Sequence, residues 1–189
     1  MEKRVSYEGK DALFKRVFAY DEKGELIEPY KEVDENMLNP LFLAHIGDAY
    51  FHLYVRNRLL RFEQSKIDNF HRISAIMVSA VCQAKAYREI ENMLTEEERQ
   101  IYKRGRNAKS HGTKRASAAE YHASTGFEAI LGHLFLKNHH ERLDEICEAA
   151  FLIIGALPQT SAGRCPAPAK GHTPSGLPVT QTDGIEKNT

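Results

Sequence analysis

Two acidic residues stand at positions where the helical pattern of the sequence predicts apolar side chains. Asp48 lies in LAHIGDAYFHLYV (residues 43–55), where small or apolar residues recur around it at spacings of three and four. Glu128 lies in the same kind of stripe in STGFEAILGHLFL (residues 124–136). Because an unpaired buried carboxylate destabilises a protein by several kcal/mol, each acid requires a partner.

Two kinds of partner remain open for each acid. A divalent cation bound by both would remove the repulsion and the raised pKa that two buried carboxylates otherwise share. A structural ion pair or hydrogen bond is the alternative, since His45 and His52 both lie within one helical turn of Asp48. Gly47 and Gly132 would let another backbone approach each acid closely. Spacing alone does not decide between a cation and a structural partner, because it does not show which distant residues are in contact.

The segment 99–115 is the one concentration of positive charge in a chain whose 26 basic and 26 acidic residues cancel. Its two glycines let the backbone approach a ligand, and its polar side chains are typical of contacts with phosphate oxygens. The alternative is a solvated loop balanced by Glu96, Glu97 and Glu98. No aromatic residue interrupts RGRNAKSHGTKRAS, which favours a duplex over a stacked single strand. The candidate RNA-binding residues are Lys103, Arg104, Arg106, Asn107, Lys109, Ser110, Lys114 and Arg115.

Composition narrows the class of protein. Three widely separated cysteines (Cys82, Cys147 and Cys165) contain no C-x-x-C pair, which is typical of reduced thiols in the cytoplasm. The N-terminus lacks an apolar run, and the longest such run, AAFLIIGAL, is too short to span a bilayer. No H-E-x-x-H, Walker, dinucleotide or G-x-S-x-G motif is present. We therefore expect a cytoplasmic protein with no membrane partner.

Apolar periodicity and capping residues predict a series of helices and no convincing strand within residues 39–154. Asn39 caps the first helix, which runs to about Phe62, and Thr95 with Glu98 forms a capping box. Ser65 with Asp68 caps a second long helix to about Met93, and Asn138 caps the last one. The predicted ranges are about 40–62, 67–93, 96–103, 118–137 and 140–154. The predicted fold class is all-α.

Segments of different composition flank this helical domain. Residues 1–38 form an N-terminal arm whose weak pattern is compatible with a small hairpin turning at residues 21–24. After Gly155, five of the seven prolines lie between Pro158 and Pro178. Such a segment cannot bury enough apolar surface to offset ordering, so residues 155–189 are predicted to be a disordered tail.

Three segments, LAHIGDAYFHLYVRNRLL, KRGRNAKS and STGFEAILGHLFL, together resemble the catalytic domain of the ribonuclease III family. The likeness is specifically to Mini-ribonuclease III, the small bacterial branch whose catalytic domain stands without a double-stranded-RNA-binding domain. It covers about residues 39–154. It implies an all-α homodimer in which the helices carrying Asp48 pack across the two-fold axis beside a valley for duplex RNA.

The resemblance also implies roles for the two acids. By position, Asp48 and Glu128 match the family's catalytic residues, which hold Mg²⁺, with Mn²⁺ able to replace it. Larger family members carry further acids where this chain has Ala44 and Thr125, so the number of metal ions per site stays open.

The activity implied is endonucleolytic hydrolysis of double-stranded RNA to products with 5′ phosphates, in maturation of large-subunit ribosomal RNA. A ribosomal protein or precursor particle is the implied partner, and the basic loop is the implied duplex clamp. The alternative is a non-catalytic dimer of the same fold that binds structured RNA as a ribosome-associated module.

Overall fold

The computed structural model describes residues 19–25, 27, 34, 36–108 and 116–157. These residues form six α-helices and a short 3₁₀ turn at Glu91–Met93, with no β-strand among them. The predicted all-α class is confirmed. The helices are α1 (Pro40–Leu60), α2 (Ile67–Met77), α3 (Ala80–Ile90), α4 (Glu96–Arg106), α5 (Ala118–Leu136) and α6 (His140–Ala156).

Side-chain caps define the N-terminal ends of α1, α4 and α5, the helices that carry the predicted site residues. The Asn39 Oδ1 atom accepts a hydrogen bond from the Leu41 N–H at 3.0 Å, with Pro40 at the first helical position of α1. Thr95 and Glu98 form both bonds of the predicted capping box at the start of α4. A second capping box, between Ser117 and Glu120, begins α5. The caps predicted for α1 and α4 are thus confirmed.

The prediction of one long helix after residue 65 is wrong, because α2 and α3 are separate. The backbone of Ser79 is extended, and its hydroxyl accepts a hydrogen bond from the Cys82 N–H at 3.4 Å. Ser79 therefore caps α3 just after α2 has ended. The predicted cap at Ser65 is also wrong, since Lys66 precedes α2 without a side-chain cap.

Two predicted boundaries near the other helices differ as well. Asn138 does not cap α6: it adopts a left-handed backbone with φ 58°, and its N–H donates to the Phe135 carbonyl at the end of α5. His139 is the residue that precedes α6. Helix α4 continues to Arg106 instead of ending near Lys103, which places three basic side chains at its negatively polarised end.

Helix α5 is the central element of the core. It packs against α1, α3, α4 and α6, and most of its side chains are buried. Phe127 on α5 meets Phe51 on α1 edge to face, with ring centroids 5.4 Å apart. Cys82 and Cys147 are buried within the same core and are not joined by a disulfide.

Glycines bring the helices around α5 unusually close. A Cβ atom on Gly47 of α1 would collide with the Glu128 carbonyl oxygen and lie 2.7 Å from the Gly132 nitrogen. A Cβ atom on Gly105 of α4 would lie 2.9 Å from the Thr125 carbonyl oxygen. The close backbone approach predicted at Gly47 and Gly132 is confirmed, and α4 approaches α5 in the same way.

Outside the helices, a tight turn is present in the N-terminal arm. The Asp21 N–H donates to the Glu25 carbonyl at 2.8 Å, and the Ile27 N–H donates to the Ala19 carbonyl at 3.0 Å. Gly24 adopts φ 79°, which favours glycine. Residues 1–18, 26, 28–33 and 35 of the arm and residues 158–189 lie outside the described residues. Among the helices that are described, none has the length and apolar character needed to cross a membrane.

Candidate active site

Asp48 and Glu128 line the same open pocket, although 80 positions separate them in the sequence. The pocket has a volume of about 510 Å³ and lies between α1, α5 and the junction of α2 with α3. Its polar lining also includes His45, Ser79 and Thr125. The two acids stand half-buried in the pocket wall, which explains how carboxylates are tolerated in otherwise apolar helical stripes.

The environment of Glu128 disfavours its charged form. Burial, and secondarily the negative charge of Asp48, raise the pKa of Glu128 to about 8, against a smaller opposing effect of a hydrogen bond from Gln83. The influence of Asp48 means that the two carboxylates interact across the pocket. A positive charge between them would stabilise both ionised forms.

Asp48 also has a protein partner. The His52 Nε2 atom, one helical turn later, lies 3.3 Å from Asp48 Oδ1. The histidine contact that the sequence left open as an alternative is therefore present, while His45 lines the pocket itself. Because 42% of the Asp48 side chain stays accessible, the contact with His52 leaves the carboxylate available to a ligand.

The two positions where larger ribonuclease III enzymes carry further acids contribute no charge. Ala44 lines the pocket, and the Thr125 hydroxyl donates to the Tyr121 carbonyl of its own helix at 2.9 Å. Among the residues that the structure describes, no group of three or more His, Cys, Asp or Glu side chains is placed to share a metal ion. The carboxylate donors of the pocket are Asp48 and Glu128.

This donor set fits a magnesium ion. Mg²⁺ prefers oxygen ligands, keeps several waters, and is commonly bound in enzymes by one or two carboxylates together with substrate phosphates. Asp48 and Glu128 supply two such carboxylates in an open pocket, where water and a phosphate have room.

Gln83 is a residue of the site that sequence reasoning missed. It lies on α3, it is 1% exposed, and its side chain is close enough to Glu128 to lower the pKa of that carboxyl group. The available signal was a polar residue within the apolar stripe formed by Ala80, Ala84 and Tyr87. That pattern indicates a buried amide but does not identify its partner.

The candidate RNA-binding residues fall into three groups. Lys103, Arg106 and Asn107 are exposed at the C-terminal end of α4. Arg104 is half-buried, and its Nη2 atom donates to the Leu38 carbonyl at 2.9 Å, which leaves only part of its guanidinium for a ligand. Lys109, Ser110, Lys114 and Arg115 lie outside the described residues.

The basic end of α4 is close to the pocket. Gly105 packs on the backbone at Thr125, which lines the pocket one turn before Glu128. Ala116, the first described residue after the basic loop, also lines the pocket. The helix that carries the basic residues thus packs directly on the helix that carries Glu128.

Comparison with known proteins identifies the family. A family model, the Ribonuclease III domain, matches residues 41–139, which contain the whole pocket lining. The chain is 46% identical over 114 residues to the Mini-ribonuclease 3 of Symbiobacterium thermophilum, covering 60% of this chain and 88% of the relative. The chain belongs to the Mini-ribonuclease 3 family. A Mini-ribonuclease 3 of Clostridium tetani is 37% identical over 136 residues, which cover 71% of this chain and 88% of the relative.

A solved structure agrees with this assignment. The crystal structure of protein FN1578 from Fusobacterium nucleatum matches with a TM-score of 0.59 and 31% sequence identity, over 67% of this chain and 100% of that one. Membership of the Mini-ribonuclease 3 family makes this chain an endoribonuclease with a ribonuclease III fold. Ribonuclease III enzymes act on RNA, generally as dimers and with divalent metals.

Proposed function

We propose that this protein is a Mg²⁺-dependent endonuclease that cleaves double-stranded RNA, with Asp48 and Glu128 as its catalytic, metal-binding acids. The observation that carries the proposal is that both carboxylates line one open pocket beside the exposed basic end of α4. An acid pair facing phosphate would repel RNA unless a cation lay between them, and Mn²⁺ would serve in place of Mg²⁺.

Different residues of the chain bind the cation and the RNA. Asp48 and Glu128 present carboxylate oxygens from two helices whose backbones are locked together at Gly47 and Gly132. A Mg²⁺ ion held by Asp48 and Glu128 would supply Lewis-acid chemistry: it would lower the pKa of a bound water and offset negative charge on the phosphate and on the departing 3′ oxygen, which would give products with 5′ phosphates. Lys103 and Arg106 bind the phosphate backbone, which positions the duplex without reading its sequence.

An exposed apolar stripe on α1 supports a homodimer. Phe42 and Leu53 are 64% and 65% exposed in the single chain, and Ile46 and Leu60 continue the same helix face. Exposed apolar surface of this kind is typical of an interface, and a second copy packed there would bring the two α1 helices together at the two-fold axis. Each active site would then cut one strand of a duplex lying across both.

The substrate that we propose is precursor ribosomal RNA of the large subunit, cut in the cytoplasm, either free or within a ribosomal precursor particle with its ribosomal proteins. This follows from the branch to which the segments around Asp48 and Glu128 are similar. The other reading of the fold, a non-catalytic dimer that binds structured RNA, gives no role to acids that face the substrate.

A cleavage assay with duplex RNA tests the proposal. The wild-type protein should cut the duplex with Mg²⁺ and leave it intact with EDTA. Asp48→Asn should remove cleavage while the fold and duplex binding persist, whereas Asp68→Asn, at an exposed carboxylate on α2, should cut normally. Cleavage retained by Asp48→Asn would refute the metal role. Binding without any cleavage by the wild-type protein would favour the non-catalytic alternative.

A further inference from the structure

Gln83 is a polar side chain at a position where the packing of the core does not require one. It is 1% exposed on the inward face of α3, between Cys82 and Ala84. Its Oε1 atom is buried and has no hydrogen-bond partner among the described residues. A buried amide oxygen without a partner is destabilising. An apolar side chain of the same length should therefore be tolerated here, which leaves the presence of an amide to be explained by something other than stability.

The nitrogen of the same amide is anchored to the backbone. Gln83 Nε2 donates to the Val78 carbonyl oxygen at 3.0 Å, and the amide lies close enough to the Glu128 carboxylate to lower the pKa of that group. Val78 lies at the end of α2, directly before the Ser79 that caps α3. Because the two N–H bonds of a planar amide point in fixed directions, the bond to the Val78 carbonyl fixes where the second N–H of Gln83 points.

We propose that Gln83 is a positioning residue for Glu128 and holds its carboxylate in the orientation that binds the divalent cation. This inference rests on the proposed function, in which Glu128 is a metal ligand. Partners that orient metal ligands are worth about 10–100-fold in metal affinity or activity. Gln83 meets the requirements of such a partner because it is buried, anchored to the backbone and in contact with the ligand.

A metal-binding experiment on the full chain tests this role without depending on cleavage. Gln83→Met keeps the length of the side chain and removes both N–H donors. Gln100→Met, on the exposed face of α4, makes the same chemical change away from the pocket. Mn²⁺ binding is measured by electron paramagnetic resonance without RNA. The melting temperature is measured without metal, and duplex cleavage is measured against Mg²⁺ concentration.

The expected result separates positioning from packing. Gln83→Met should weaken Mn²⁺ binding about tenfold or more and shift the Mg²⁺ midpoint of cleavage by the same factor. Cleavage should recover at saturating Mg²⁺, and the metal-free melting temperature should stay within a few degrees of wild type. Gln100→Met should match wild type in every measurement. Gln83→Met should add little to the loss caused by Glu128→Gln, because both changes act on the same ligand.

Other outcomes overturn the inference. Wild-type Mn²⁺ affinity in Gln83→Met, with a lowered melting temperature, would make Gln83 a packing residue only. Gln83→Leu provides a second apolar variant, and failure of both variants to fold would lead to the same conclusion. If Glu128→Gln binds Mn²⁺ as tightly as wild type, the proposed metal site itself fails. If Glu128→Gln weakens binding and Gln83→Met does not, only the role of Gln83 fails.

Discussion

Gly47 on α1 and Gly132 on α5 lie directly opposite each other, and neither position has room for a Cβ atom. A Cβ on Gly132 would collide with the Leu43 carbonyl oxygen and lie 3.1 Å from the Gly47 nitrogen. The atoms that would be struck belong to the backbone, so no side chain can move aside. This crossing fixes the helix of Asp48 against the helix of Glu128, directly beside Asp48 and one turn after Glu128.

We expect Gly47→Ala to destabilise the protein by about 3 kcal/mol or more, because overpacking here must separate two backbones. Urea unfolding followed by circular dichroism measures the change. Gly155→Ala on α6 is the matched control: a Cβ there meets nothing within 4 Å, so alanine should be neutral or stabilising by up to about 1 kcal/mol. Equal effects at the two glycines would contradict the close crossing.

The sequence predicted those features that depend on neighbouring residues. The Asn39 cap and the Thr95–Glu98 box each involve residues within three positions of one another, so their bonds follow from local geometry. The break at Ser79 was not predicted, because apolar spacing continues across it from Met77 to Ala80 and Ala84. A single extended residue that interrupts a helix leaves that pattern intact.

In the candidate site, too, local features could be predicted from the sequence and tertiary contacts could not. The stripes around Asp48 and Glu128 showed two carboxylates that needed partners, and the family likeness paired them. Gln83 could not be assigned from the sequence, since its partner Glu128 is 45 positions away and is brought to it only by the packing of α3 on α5. The hydrogen bond from Arg104 to the Leu38 carbonyl is likewise a tertiary contact, which the pattern of charges along the sequence cannot show.

Glu98 should stabilise the protein at neutral pH and stop doing so in acid. Burial alone would raise its pKa, but hydrogen bonds from Arg142 and from the Thr95 N–H bring the pKa below its usual 4.5. A lowered pKa in the folded protein means that the stabilisation is full above about pH 4.5 and is lost as the pH falls through the folded value.

We expect Glu98→Gln to cost about 1.5–3 kcal/mol at pH 7, the usual range for hydrogen bonds to a charged group. The difference from wild type should shrink as the pH is lowered below about 4.5. Glu96→Gln, at an exposed position in the same helical turn, should change stability by less than about 1 kcal/mol at either pH. Denaturant midpoints at several pH values measure both variants. A pH-independent loss in Glu98→Gln would argue against the ion pair.

Glu128 should show the opposite pH dependence in the absence of metal. Its pKa is raised to about 8, so its contribution to stability is full below about pH 4.5 and is lost as the pH rises toward 8. Wild-type protein in EDTA should therefore lose stability over this range relative to Glu128→Gln, which cannot ionise. Thermal melts of both proteins between pH 5 and 9 measure the difference. If the melting temperatures of the two proteins changed in parallel with pH, the pKa of Glu128 would not be raised.

The apolar stripe on α1 should carry the dimer. Leu53→Glu places a charge on a side chain that is 65% exposed in the single chain, so the monomer should fold while association is lost. Light scattering coupled to size-exclusion chromatography reports the mass. Leu152→Glu, at a 48% exposed leucine on α6, is the matched control and should stay dimeric. A monomeric wild-type protein would remove the proposed two-fold valley.

Charge removal on α4 should distinguish phosphate contacts from structural ones. Lys103→Gln and Arg106→Gln should each weaken duplex binding and reduce the slope of log affinity against log salt by about 1. Arg104→Gln should lower the melting temperature more, because it releases the Leu38 carbonyl. Fluorescence anisotropy with Ca²⁺ in place of Mg²⁺ measures binding without turnover.

Lys23→Gln, in the exposed turn of the N-terminal arm, serves as the control for a simple change of net charge. Its salt slope should equal that of wild type. Slopes that stay unchanged in both Lys103→Gln and Arg106→Gln would place the duplex elsewhere on the protein.

The contact of Gly105 with the backbone at Thr125 has a consequence for where RNA is cut. A Cβ atom on Gly105 would meet the Ala129 Cβ, the Thr125 carbonyl oxygen and the Gly126 Cα, and none of these atoms can rotate aside. The offset between the last turn of α4 and the backbone of α5 at Glu128 is therefore rigid. In the proposed enzyme this offset acts as a gauge, so that a duplex gripped at Lys103 and Arg106 is cut at a constant number of nucleotides from the grip.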